Sequence, residues 1–367
     1  MKKEWFKLAL TVCAVCSLTA CNEDDNNFNP STPPVNNLVK GSGAYVINTG
    51  DYGANNGSIM WYNKTDSTVS ADLYLQANGK GIGDVQDLCV YGSKLYVTCS
   101  SSAKIVILDR QGKELKSYEL KNEENEPITP RYITCAEGKV FFTAYDGTLS
   151  RIDTTSLSID KVITLGGKPE GLTYANHKLY VCQSDYTGDG SGKSISVIDV
   201  PSFEKIKSID VMLNPYNQIL TAENGKVYFV SNGNYAGSPY IDPEDYVYQT
   251  LQCIDPTTDK VDTLCNASYI TNLGDKMYIL YAEYYLQETK KAFIYDLNTK
   301  QETPFIDINI VPNPQFITAD PENGDIYIGS TMYDGSFNDV YHFNKNGNLL
   351  NIIETGYYTT NLRFVNE

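Results

Sequence analysis

The sequence predicts an all-β protein, a seven-bladed β-propeller with four antiparallel strands per blade. Three observations predict it: a strand motif recurs seven times, each recurrence carries three further strand signals, and the strand missing at the front is supplied by the C-terminus. The motif is a turn followed by an aromatic inside an apolar run: GSGAYVIN, GSKLYVTC, EGKVFFTA, NHKLYVCQ, NGKVYFVS, GDKMYILY and NGDIYIGS. Its aromatic falls at Tyr45, Tyr96, Phe141, Tyr180, Tyr228, Tyr278 and Tyr327, at spacings of 51, 45, 39, 48, 50 and 49 residues. A period of about 40–50 residues holding several short strands marks propeller blades.

Within each unit an apolar run ending in Asp or Asn follows the motif: SIMWYN, KIVILD, LSRID, SISVID, LQCID, AFIYD and VYHFN. The terminal acid or amide opens a turn, because its side chain can bond its own backbone. A further strand comes next, such as KELKSYEL, IDKVITL, FEKIKSIDV or NLLNIIET. Another precedes each motif turn: QDLCVYG, RYITCAEG, EGLTYANH, NQILTAENG, SYITNLG and QFITADPENG. The first unit lacks that leading strand, and TTNLRFVNE at the C-terminus is one strand with nothing after it. Pairing the two ends in the first blade removes the open edge at the seam of the ring. Residues 41–367 then form one domain; two β-sandwiches would not explain seven even repeats and a split blade.

Residues 1–20 read as a lipoprotein signal peptide: Lys2, Lys3 and Lys7, an apolar run from Leu8 to Leu18, then Leu18-Thr19-Ala20-Cys21. The run is too short to span a bilayer as a helix, and a small-residue site ends it. Cys21 is the expected lipidation site. Residues 21–40 are polar, acidic and rich in Asn and Pro, the composition of a disordered lipidated tether. Glu23-Asp24-Asp25 resembles the surface-export signal of Bacteroidetes lipoproteins, which implies an outer-membrane, exterior-facing location; a merely solvated linker on a periplasm-facing lipoprotein is the alternative. The whole chain carries −16, so without its leader (net +2) it carries about −18, which argues against nucleic acid as a partner. Cys89, Cys99, Cys135, Cys182, Cys253 and Cys265 form no close C-x-x-C pair. Zinc is therefore not expected, and most of these cysteines read as buried thiols.

The connection between the second and third strands of a blade lies on the same face as the connection to the next blade. From the repeat aromatic to the closing Asp or Asn, the seven units take 18, 13, 12, 19, 27, 18 and 17 residues, so the surplus in five of them builds one face. Surplus loops on a rigid scaffold are where binding usually resides. The surplus is aromatic, with SNGNYAGSPYIDPEDYVYQT (231–250) the longest example. Tyrosine offers broad apolar contact and a hydroxyl at small entropic cost. The candidate ligand-binding residues are Tyr52, Arg131, Tyr186, Tyr216, Tyr235, Tyr240, Tyr284, Tyr333 and Tyr358. The competing expectation is that these rings stack on one another to stiffen long loops.

Catalysis finds little support. The chain has two histidines, His177 in a hairpin of the opposite face and His342 in a strand away from the funnel. No G-x-S-x-G elbow occurs, so no catalytic residue is assigned, and no metal or cofactor is expected. Carboxylates on or near the long-loop face, among them Asp84 and Glu283, leave a carboxylate-only site open. DYTGDGSGKS (185–194) offers oxygens for calcium but departs from the D-x-D-x-D-G loop. GKGIGD (79–84) lacks the Lys-Ser/Thr and helix of a phosphate loop.

The repeat resembles the YncE-like seven-bladed propellers over nearly the whole mature chain. GAYVINTGDYGANNGSIMWYN, GSKLYVTCSSSAKIVILD and NGNYAGSPY are similar to Bacteroidetes surface lipoproteins that include the BtuG-type cobalamin-capturing group. The resemblance implies a binding protein rather than an enzyme. Its ligand would be cobalamin or another corrinoid, and its partner an outer-membrane TonB-dependent transporter on which it sits as a lid. The repeat specifies architecture well and ligand poorly. A glycan- or protein-binding propeller is the alternative, and a propeller lyase or lactonase that depends on carboxylates or a metal is a further one.

Overall fold

The computed structural model describes residues 38–51, 53–185, 192–332 and 336–365. The leader, Cys21, Tyr52, Tyr186, Tyr333 and most of the candidate calcium stretch lie outside the described residues. Seven four-stranded antiparallel sheets make up the ring, each one blade. The strands lining the axis are Thr359–Val365 in blade 1, Asp87–Tyr91 in blade 2 and Pro130–Ala136 in blade 3. Lys168–Ala175, Pro215–Thr221, Tyr269–Leu273 and Pro314–Ala319 follow in blades 4 to 7. Four of these inner strands carry proline at their first or second residue, a place where the edge of a sheet asks for no N–H donor.

The core is distributed rather than central. Seven hydrophobic clusters fill the ring, one at each blade-to-blade seam. All seven repeat aromatics are buried in them, which explains why the motif keeps its period. On the hairpin face the turns are tight: Glu137 and Gly138 take φ of 50° and 76°, and Asn176 and His177 take 48° and 60°. Two successive positive φ values are what a two-residue hairpin turn requires.

The C-terminal strand closes blade 1 as the sequence implies, with Tyr45 opposite Arg363 and Ala44 opposite Phe364. Buried polar groups lock this seam: Thr359 Oγ1 donates to Asn48 Oδ1 at 2.6 Å, and the Gly356 amide donates to the same oxygen at 3.1 Å. Lys64 of blade 1 also reaches blade 7, pairing with Glu322 at 2.6 Å and more closely with Asp320. Asp320 is fully buried. Lys64→Ala strands that carboxylate, and the expected cost is about 3 kcal/mol, visible as a lower urea midpoint with an unchanged slope.

Two features depart from the sequence reading. Residues 38–40, assigned to the tether, are fastened to the ring: Val39 and the Gln111 side chain exchange hydrogen bonds at 3.1 and 3.2 Å, and Trp61 Nε1 donates to Lys40 O at 3.1 Å. Blade 1 also has an outer strand of only two residues, Thr68–Val69, followed by a short helix, Leu73–Asn78. Asp72 caps that helix by accepting from Tyr74 N at 3.0 Å, and Gly79 at φ 67° ends it. Its inward residues Leu73 and Tyr74 fill the space a longer outer strand would have covered.

Candidate ligand-binding site

The second-to-third-strand connections span 49–57, 100–103, 145–147, 185–193, 232–249, 282–290 and 331–338. A parallel bridge between Asn56 and Gly83 ties one of them to the blade 1–blade 2 crossover, so both kinds of connection share one face. The longest, 232–249, is not slack. Asn232 N donates to Asn214 O at 2.7 Å, Asn234 N to Val247 O at 3.1 Å, and Asn234 Nδ2 to Asp245 O at 2.9 Å. Gly233 makes this stem possible: at φ 65°, any Cβ there would stand 1.8 Å from Val247 O. Ala236 and Ser238 are buried, which anchors the loop tip on the ring.

At the axial end of this loop lies a cavity of about 370 Å³. Tyr216, Tyr235, Tyr269, Tyr284 and Tyr358 line it, with the amide side chains of Asn217, Gln218, Asn232, Gln249, Asn313 and Gln315. Among the described residues no charged side chain is in the lining, although the chain carries −16. Four of the candidate tyrosines, Tyr216, Tyr235, Tyr284 and Tyr358, thus come together in one place. Two of them are held in the left-handed region, Tyr235 at φ 58° and Tyr358 at φ 50°. A bulky residue there is a backbone outlier, of the kind that persists where the surroundings over-determine it. Burial raises the Tyr235 hydroxyl pKa, and Tyr285 and Tyr284 stand near enough to raise it further.

Below this cavity the inner strands enclose an axial channel of about 640 Å³, and Asn217, Gln218 and Thr360 line both spaces. Asp87 and Arg363 are the charged lining residues of the channel, and they pair with each other at 2.8 Å.

The other described candidates are placed differently. Arg131 is buried in a polar knot between blades 2, 3, 4 and 5. Its Nε donates to Glu170 Oε2, its Nη1 to Gln86 Oε1 and its Nη2 to Tyr216 OH, each at 2.9 Å. Its guanidinium also lies 4.5 Å from the Tyr145 ring centroid, and Tyr145 OH donates to Glu170 Oε1 at 2.5 Å. Burial raises the Glu170 carboxyl pKa against the downward pull of Arg131 and Tyr145. Arg131 therefore orients Tyr216 from behind rather than lining the cavity. Tyr240, 92% exposed, projects from the loop away from the cavity. Some rings do brace one another: Tyr246 meets Tyr248 edge-on at 6.1 Å, and Tyr284 meets Tyr285 at 4.8 Å.

The lining amides were not singled out from sequence. Their signal is the Asn-Pro step repeated at Asn214-Pro215 and Asn313-Pro314, where both asparagines have positive φ (57° and 42°) and amide residues follow. Asparagine tolerates that conformation better than most residues, so the step turns the chain into the inner strand at the cavity wall.

Two of the acidic candidates, Asp84 and Glu283, make structural hydrogen bonds. Asp84 accepts from the amides and hydroxyls of Ser101 and Ser102 at 2.7–3.0 Å, which holds its carboxyl below the ordinary range despite burial. A depressed folded-state pKa contributes stability above the unfolded value near 3.8, lost as pH falls through the folded value. Asp84→Ala is expected to cost about 1–3 kcal/mol at pH 7 and less when both proteins are compared at pH 3. Glu283, fully buried, accepts from Gln249 N at 2.7 Å and so ties the blade 5 loop to the blade 6 loop. His177 pairs with Glu137 at 2.6 Å on the hairpin face, and His342 with Asp325 at 2.8 Å. Among the described residues no group of three or more His, Cys, Asp or Glu could hold a metal ion, and no helix is long and apolar enough to cross a membrane.

The fold is thus a seven-bladed propeller, an architecture suited to binding or scaffolding. The chain belongs to the DUF5074 family, a domain of unknown function, whose profile matches residues 42–362. No curated protein matches the chain. Among solved structures it is similar to a putative 6-phosphogluconolactonase from Bacteroides fragilis, at 12% identity and TM-score 0.62 over 92% of this chain and 100% of that one. It is also similar to a quinonprotein alcohol dehydrogenase-like protein from Bacteroides thetaiotaomicron, at 15% identity and TM-score 0.60 over 88% and 78%. The hydrazine synthase of Kuenenia stuttgartiensis matches at 14% identity and TM-score 0.56 over 77% and 95%. At these identities the likeness is one of fold.

Proposed function

We propose that this chain is a lipid-anchored, exterior-facing binding protein of the outer membrane that captures cobalamin or another corrinoid. The observation that carries this reading is the uncharged cavity of five tyrosines and six side-chain amides. A corrinoid is a flat macrocycle edged by neutral amide groups. It asks for aromatic contact and amide hydrogen bonds, and for no countercharge. A cavity of about 370 Å³ seats one edge of such a ring, with the exposed Tyr284 in its wall. The captured ligand would pass to a TonB-dependent transporter, as the resemblance to the BtuG-type group implies. Calorimetric titration of the chain with cobinamide is expected to give saturable heat at one-to-one stoichiometry. No heat up to high micromolar concentration removes the corrinoid assignment.

A neutral glycan is the second reading, because planar amides and tyrosines also suit sugar hydroxyls; binding of neutral oligosaccharides with no response to cobinamide would establish it. Hydrolysis of a phosphorylated lactone, the activity named for one structural neighbour, needs a cation at the phosphate. Among its described lining residues the cavity offers none, so we favour binding over catalysis. Anchoring has its own test. Cys21→Ser is expected to release the protein from the membrane fraction, and protease added to intact cells is expected to degrade the wild type.

A further inference from the structure

The inner strands of blades 2 and 3 run side by side down the channel in a fixed register. Ile133 N donates to Asp87 Oδ2 at 3.1 Å at one point, and Gly138 N donates to Tyr91 OH at 2.8 Å further along. Between these ties Cys89 and Cys135 stand level, each two residues beyond Asp87 and Ile133. Alternation along a strand puts them on the same faces as those two residues. Cys135 Sγ lies 3.8 Å from Val90 O, the carbonyl of the residue that follows Cys89. Both line the axial channel. Arg363, from the inner strand of blade 1, donates to Leu88 O at 3.1 Å and to Asp87 at 2.8 Å, so a guanidinium stands beside the pair. The neighbouring Cys89, helped by the Arg363 guanidinium, draws the Cys135 thiol below its usual pKa, while burial pushes Cys89 up. A partly exposed thiol next to a cation is the setting of a reactive cysteine. Cys99 and Cys182, in contrast, are fully buried in blade seams.

We propose that Cys89 and Cys135 are a redox pair that closes to a disulfide across the seam between blades 2 and 3. The oxidant is a low-molecular-weight disulfide such as oxidised glutathione, entering through the channel. The Cys135 thiolate attacks one of its sulfurs, the S–S bond breaks, and one glutathione leaves as a thiol. Cys89 then loses its proton and its sulfur attacks Cys135 Sγ, expelling the second glutathione. Two cysteine thiols are oxidised to one disulfide, and one oxidised glutathione is reduced to two thiols. The new bond staples neighbouring blades that otherwise hold together by packing and hydrogen bonds. It lies in the channel rather than the tyrosine cavity, so it stands or falls independently of the ligand.

The test is a disulfide map of the native full chain after treatment with oxidised glutathione, alkylation and trypsin digestion. The expected product joins Gly81–Lys94 to Tyr132–Lys139, with a mass two hydrogens below the sum, and separates on reduction. Peptides holding Cys99 and Cys182 should be recovered alkylated after unfolding, and the oxidised protein should melt at a higher temperature. In Cys89→Ser, Cys135 should retain a single glutathione. Recovery of both peptides alkylated, or of each carrying glutathione unlinked, would overturn the proposal. The wild-type map decides the matter alone if the serine variant does not fold.

Discussion

Replacing Arg131 with alanine is expected to lower the unfolding free energy by about 3–5 kcal/mol, a large part of the 5–15 kcal/mol typical of a folded domain. The side chain spends three donors on three blades, meeting Glu170, Gln86 and Tyr216 at 2.9 Å each. Glu170 is 1% exposed, so alanine at 131 leaves a carboxylate in the interior with Tyr145 OH as its remaining side-chain donor. Most of the cost is that stranded charge rather than the lost attraction. The Arg131→Met, Glu170→Gln double variant, which removes both charges, should therefore be more stable than Arg131→Ala. Arg131→Lys should fall between wild type and alanine, because an ammonium cannot reproduce the planar fork. Urea denaturation of the four proteins checks the order. If Arg131→Ala unfolds within 1 kcal/mol of wild type, the knot is not a keystone of the ring.

The architecture was legible in the sequence because blade cores repeat. Tyr45, Tyr96 and their equivalents fill the same place in successive seams, so packing imposes a period that the eye can find. The split blade was legible for a similar reason: an open sheet edge is costly, and only the C-terminal strand could cover it. Loop residues carry no such period. Tyr240 and Tyr284 look alike in sequence, yet only Tyr284 turns toward the axis, because that depends on how each loop is braced. Arg131 was misleading for another reason. A lone arginine at a loop–strand junction reads as a ligand contact, and its partners Gln86, Glu170 and Tyr216 come from three other repeats. The helix Leu73–Asn78 was missed because six residues are too few to establish a helical period, leaving only its Asp and Gly caps as signals.

Binding and folding are expected to separate at Tyr235. Its φ of 58° costs a non-glycine residue roughly 1–2 kcal/mol. The ring, 47% exposed, recovers only part of that through packing. Tyr235→Gly relieves the backbone and loses the ring, so its melting temperature should equal or exceed that of wild type. Tyr235→Ala loses the ring and keeps the strain, so it should be the least stable of the three. Ligand affinity should follow a different order. Both variants lack the aromatic wall facing Tyr284 and should bind cobinamide about 10–100-fold more weakly, the loss of a typical interface anchor. Tyr284→Ala should produce a loss of similar size. Because Tyr235 and Tyr284 line one cavity, the double variant should lose less than the product of the two single effects. Equal stability of the glycine and alanine variants would show that the positive φ stores no strain. Unchanged affinity in the double variant would place the ligand elsewhere on the ring. A Tyr235→Gly protein at least as stable as wild type yet weaker in binding is what a strained tyrosine retained for binding requires, whereas removing a ring kept only to brace its loop would cost the glycine variant stability as well.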